Sequence, residues 1–281
     1  MPVASLLLLT LLSQGERPNA YVEKASDTPH LYQLDPAGGY SNGGKNFCAP
    51  TAAANAIIYL SRHGYQNLFR GSTMDDAYAL VRELASKEFI GTADRDGTTD
   101  TTFILGLTNF VQKGGIHSPT FKYEGYRPLR GTLSGRETAM QVDLDWIKAE
   151  VAKPNTVVWM HLGYYKLVSP STYERFNGHF VNVVGYGTDG AVTDPNMFII
   201  RNPVFKHDAA AGAANLRATL PGEKVMASRD VSGTLTGNYK GLPRDASDMY
   251  SISGPAIRTP KGAAFVLLDG AIALELPPPS H

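Results

Sequence analysis

The sequence predicts an α+β protein with helices in its first half and antiparallel strands in its second, and three observations carry the prediction. Between residues 50 and 113 apolar residues recur with a helical period, in segments that close on Gly. From about Val142 the pattern shifts to β-branched and aromatic runs, TVVWMHLGYYKLV, HFVNVVGYG and MFIIRNPVF. The two patterns do not alternate, and segregated helices and strands mark an α+β chain rather than a doubly wound one.

Taken in order, a polar, Gly-rich approach (GGYSNGGKN, 38–46) leads to a helix over 50–62, with Pro50 in its first turn and Gly64 as its stop. The only cysteine, Cys48, falls at or just before that turn. Ala52, Ala53, Ala54 and Ala56 make the helix thin, as suits an element packed on several sides. Further helices are expected over 74–87 and over 101–113, the latter closed by Gly114-Gly115, with the polar loop GTADRDGTTD between them. DLDWIKAEVAK is amphipathic and helical until Pro154-Asn155 breaks it. Strands follow at 156–168, 179–187 and 197–205, the last two joined by a loop containing Asp189-Gly190. Residues 206–250 are rich in Ala, Gly and Asp with little periodicity and read as a loop-rich insertion. AFVLLDGAIALEL (264–276) reads as a terminal hairpin turning at Asp269-Gly270, before a Pro-rich tail.

Composition narrows the function classes. A chain of 281 residues, 43% hydrophobic and 19% charged, can bury a sizeable core. With 26 basic and 26 acidic residues, no net field draws it to nucleic acid or to an anionic membrane. One cysteine permits no intramolecular disulfide and none of the Cys-rich zinc spacings, and no cofactor is expected. Val3 to Leu12 reads VASLLLLTLL, the length of a signal-peptide core and too short to span a bilayer. Residues 1–20 are therefore expected to be a signal peptide with a cleavage candidate at Ala20, and 21–281 a single secreted, periplasmic or cell-surface domain with its core at about 40–205. A buried N-terminal strand would look similar and would leave the protein cytoplasmic. No later segment is long and apolar enough to be transmembrane.

Several motifs fail on inspection. Gly39 to Lys45 has phosphate-loop spacing, but Asn46 stands where a hydroxyl is needed and no apolar strand leads in. Gly185, Gly187 and Gly190 mimic a dinucleotide fingerprint, yet a loop and a strand follow instead of a helix. DRDGTTD (94–100) reads as a solvated acidic loop.

One constellation survives. A thiol attacks as thiolate, and a helix N-terminus lowers its pKa through the helix dipole and free N–H groups, which also suit a tetrahedral oxyanion. Cys48 before Pro50 meets that requirement. Of the histidines at 30, 63, 117, 161, 179, 207 and 281, only His179 opens an apolar strand directly after a glycine, where its ring can face a cleft. An imidazole base needs an orienting acceptor, and Asn202, ending the strand FIIRNP, stands within reach across a sheet. A buried, inert thiol is the alternative for Cys48.

These residues carry a resemblance. CAPTAAANAIIYL resembles the nucleophile helix of papain-like cysteine peptidases, especially the branch of bacteriocin-leader-processing (double-glycine) peptidases, whose signature is Cys-Gly-Pro followed by small residues. GHFVNVVGYG and FIIRNP resemble the histidine and asparagine strands of papain, with the order Cys, His, Asn kept and separations close to the roughly 130–150 residues of papain-type enzymes. Ala49 replaces the usual Gly. The resemblance implies a papain-like fold, an N-terminal helical half carrying Cys48 and a C-terminal β half carrying His179 and Asn202. It implies hydrolysis of peptide bonds through a thioester, with a peptide or protein as partner. It further implies an oxyanion-hole amide about six residues before the cysteine, where Asn42 stands, and it offers Asp194 as an alternative third member. An inactive peptide-binding module of the same fold and an amidase- or transglutaminase-like acyl transferase are the competing readings.

Overall fold

The computed structural model describes residues 22–92, 97–187, 194–206, 216, 222–237 and 243–279. The apolar run over 3–12, the candidate cleavage site at Ala20, residues 94–96 of the DRDGTTD loop, Asp189-Gly190 and parts of 206–250 lie outside the described residues; the last residue of that loop, Asp100, is buried against His161 rather than solvated.

Among the described residues there are four α-helices and a large mixed sheet. Helices α1 (Cys48–Arg62), α2 (Met74–Ala85) and α3 (Asp100–Lys113) pack as one layer. Their starts are written locally. Thr73 with Asp76 and Thr99 with Thr102 form reciprocal capping boxes that occupy the first free N–H groups of α2 and α3. Helix α1 is buried along nearly its whole length, and its alanines let it lie close to the sheet, where the Trp159 indole N–H donates to the Ala52 carbonyl at 3.1 Å.

The strands are β1 (Val22–Glu23), β2 (Thr120–Gly125), β3 (Thr156–Ser169), β4 (Thr172–Tyr186), β5 (Met197–Arg201), β6 (Glu223–Ser228), β7 (Thr234–Thr236), β8 (Arg244–Asp245), β9 (Ser251–Ser253) and β10 (Phe265–Glu275). Between α3 and β3 lies α4 (Leu144–Ala152). The antiparallel pairings run β3, β4, β5, β6, β9, β10 and back to β3, which closes a six-stranded barrel. Its interior is the cluster Met160, Leu162, Val181, Val183, Phe198, Ile200, Val225, Ile252 and Leu268, one end of which packs on α4. On the outer face, Trp159, Phe180, Ile272 and Leu274 join the helical core. Strand β7 runs parallel to β4, so the sheet is mixed rather than purely antiparallel.

Three expectations are corrected. Residues 264–276 are not a hairpin: β10 runs straight through Asp269-Gly270, with a register shift between Leu268 and Gly270. The turn signal is overridden because the Asp269 carboxylate is buried and held by Arg175, Tyr126 and Tyr165, while the shift returns Ala271 and Ala273 to the barrel interior. The stretch 206–250 contains β6, β7 and β8, strands too short and too polar for their period to show. Residues 172–178, TYERFNG, extend β4 well before the expected start, and β2 was not signalled because Lys122 and Glu124 interrupt its apolar pattern.

Candidate active site

Helix α1 begins at Cys48 itself. Phe47 precedes it without any side-chain cap, and Pro50 has no N–H, so the first-turn donors available are those of Cys48 and Ala49. The main-chain N–H of Phe180 on β4, and then those of Ala49 and Cys48, favour the charged form of the Cys48 thiol. Cys48 is half-buried, yet packed closely enough that burial pushes its thiol up against these three donors.

His179 and Asn202 arrive by strand periodicity. Val181 and Val183 of β4 and Ile200 of β5 point into the barrel, and stepping back or forward by two puts His179 and Asn202 on the same face at the barrel mouth. Their side chains meet, His179 Nε2 lying 2.6 Å from Asn202 Oδ1. The orientation of the Asn202 amide follows from three partners: Oδ1 also accepts from the Val204 N–H at 3.1 Å, and Nδ2 donates to the Ala256 carbonyl at 2.6 Å. An amide oxygen only accepts, so His179 carries its proton on Nε2 and presents Nδ1 as the basic nitrogen. Burial lowers the His179 pKa to about 4, opposed by the Asn202 hydrogen bond and reinforced by nearby His161. His179 lies midway along β4 and is followed directly by Phe180, whose main-chain N–H favours the charged form of the Cys48 thiol.

The remaining sequence candidates fall elsewhere. Asp194 sits before the opposite end of β5, its Oδ1 taken by the Asn196 N–H at 2.9 Å, and does not meet His179. Asn42 is exposed at φ +51 in the turn Ser41–Gly44, a left-handed position that asparagine tolerates. The loop before Cys48 is instead braced by Gln33, which donates from Nε2 to the Gly44 carbonyl at 3.0 Å.

Two further features were not legible. Tyr164 of β3 has its hydroxyl pKa raised by burial and next by the charge of Cys48. Behind Phe180 lies a buried polar chain. The His161 ring stacks on Phe180 with centroids 4.3 Å apart, its Nδ1 is 2.7 Å from Asp100 Oδ1, and its Nε2 is 3.1 Å from Arg175 Nη2. Arg175 in turn donates from Nε to Asp269 Oδ2 at 2.5 Å. Burial opposes the Asp100 charge, but His161, then Arg127 and Arg175, outweigh it and hold the carboxyl below the usual range. Room for this chain comes from Gly163 and Gly178, which face each other across β3 and β4. A Cβ at Gly163 would overlap the Asp269 carboxylate, and one at Gly178 would overlap Arg175 and lie 2.8 Å from His161 Nε2. The glycine before His179 is thus explained by packing.

A thiol at an uncapped helix start, facing a histidine strand at the mouth of a β-barrel, belongs to the class of cysteine-peptidase-related α+β proteins. Within that class, residues 25–212, well over half of the chain, match the Peptidase_C39 like family, and the chain belongs to it. No curated protein and no solved structure matches the chain. No helix among the described residues is long and apolar enough to cross a membrane.

Proposed function

We propose that the protein hydrolyses peptide bonds by a papain-like mechanism with Cys48 as nucleophile, His179 as acid and base, and Asn202 as the residue that orients His179. The observation that carries the reading is the His179–Asn202 hydrogen bond, which leaves Nδ1 as the basic nitrogen, on the strand whose next residue, Phe180, favours the Cys48 thiolate through its N–H.

The chemistry runs as acyl transfer to water. Cys48 Sγ attacks the carbonyl carbon as its proton passes to His179 Nδ1, and the main-chain N–H groups of Cys48 and Ala49 stabilise the oxyanion. The C–N bond breaks as His179 returns the proton to the leaving amine. Water, deprotonated by His179, then cleaves the thioester and restores the thiol. Burial favours the neutral thiol and neutral imidazole in the resting site, so charge separation accompanies reaction rather than preceding it. Asp194 and Asn42 take no part in this scheme. Export through residues 1–20 belongs to the same reading, and N-terminal sequencing of the secreted chain tests it.

The test is a peptide library scanned by mass spectrometry with the wild type and Cys48→Ala. New termini from the wild type and none from a folded Cys48→Ala variant are expected. Cleavage that survives the substitution refutes the assignment.

A further inference from the structure

Asn202 is held from two sides. Its side chain engages His179, Val204 and Ala256, while its main-chain carbonyl accepts from His30 Nε2 at 2.9 Å. His30 lies in the segment after β1, and its side chain is only 1% exposed. A carbonyl oxygen cannot donate, so His30 Nε2 carries a proton. The other ring nitrogen, Nδ1, stands 3.2 Å from Oε1 of Glu223 on β6, a side chain 9% exposed. A proton on Nδ1 would make this approach an ion pair, whereas a neutral ring would set a lone pair against the carboxylate.

Beside the pair, burial lowers the pKa of Arg201 on β5, opposed by the charges of Glu223 and then Glu23 of β1, and the neutral His179 ring lies beyond Asn202. The same short segment reaches both halves of the molecule. The Leu31 N–H donates to Asn55 Oδ1 of α1 at 3.0 Å, and the Gln33 N–H donates to the Pro203 carbonyl at 2.8 Å while the Gln33 side chain braces Gly44. Residues 30–33 therefore tie the strand end that bears Asn202 to the helix and loop that bear Cys48. Buried ion pairs are costly, and apolar side chains would fill the space as well.

We propose that His30 and Glu223 are positioning residues: the buried pair anchors the Asn202 main chain so that its amide stays on His179 in register with Cys48. The proposal rests on the hydrolytic reading for its kinetic consequence, but its structural content is independent of turnover.

The experiment is long-range 1H–15N correlation of histidine-labelled protein at neutral pH, for the wild type, His30→Leu, His30→Gln and Glu223→Gln, with urea unfolding as the check on folding. In the wild type, both His30 nitrogens are expected to be protonated and His179 to be the Nε2–H tautomer alone. Glu223→Gln converts His30 to a neutral ring. His30→Leu gives a mixture of His179 tautomers and lowers kcat by about tenfold with KM nearly unchanged, and His30→Gln, which keeps an N–H donor, restores most of both. A neutral His30 in the wild type, or a His179 signal and kcat that are the same in folded His30→Leu as in the wild type, overturns the proposal. If His30→Leu does not fold, Glu223→Gln decides by the charge state of His30. Absence of any Cys48-dependent cleavage would refute the hydrolytic reading and leave the tautomer result standing.

Discussion

Replacing His179 by Gln removes one buried titrating group, and the consequence for stability is readable in its pH dependence. In the folded chain burial lowers the His179 pKa from 6.5 to about 4, whereas in the unfolded chain the ring titrates at its ordinary value. A depressed histidine contributes stability that is fully present above the unfolded value and is lost as the pH falls through the folded one. At about 1.36 kcal/mol for each tenfold step in proton affinity, the loss is about 3 kcal/mol between about pH 7 and pH 4. Urea unfolding followed by fluorescence of Trp146 and Trp159 supplies the free energies for wild type and His179→Gln across that range. Other acids titrate alike in both proteins and cancel in the difference. The wild type is expected to lose about 3 kcal/mol relative to the variant on acidification. A difference independent of pH would refute a buried, neutral His179.

Two further outcomes follow from the glycine pair and the chain it accommodates. Gly178→Ala forces a methyl group into Arg175 and His161 and is expected to cost about 1–3 kcal/mol in urea unfolding; an unchanged midpoint would show that the chain gives way freely. Arg175→Met leaves the Asp269 carboxylate buried without its cation, which costs about 3–5 kcal/mol, and a second substitution, Asp269→Asn, is expected to recover part of the loss. Double-mutant analysis of the same unfolding curves checks this, and additive losses would contradict direct coupling.

The parts of the site that were legible depend on local rules. Helix α1 could be read from Pro50, the alanines and Gly64, and the strands of His179 and Asn202 from alternation, because backbone period and capping chemistry act over a few residues. The long-range parts were not legible. Asp269-Gly270 has the signature of a turn, and only the distant Arg175, Tyr126 and Tyr165 make it a bulge within β10. Asn202 over Asp194 is a matter of which end of β5 adjoins His179, which no spacing along the chain reveals. His161 stands in the apolar run VVWMHLG, where a lone buried histidine signals a polar partner without naming Asp100 or Arg175. His30 lies outside any periodic element, and only the closed barrel brings Glu223 and Asn202 to it.

The central claim is that His179 activates Cys48, and alkylation by iodoacetamide tests it without any knowledge of the substrate. Rates are measured from about pH 4 to pH 10 for the wild type and His179→Ala, since thiolate alone reacts. With a base whose pKa is about 4 and a thiol raised by burial, the wild type is expected to label at a nearly constant rate between those limits. At neutral pH it should label at least about tenfold faster than His179→Ala, whose rate rises only as the thiol itself ionises. Superimposable profiles for the two proteins would contradict the account and leave Cys48 as a packing residue of the helix start.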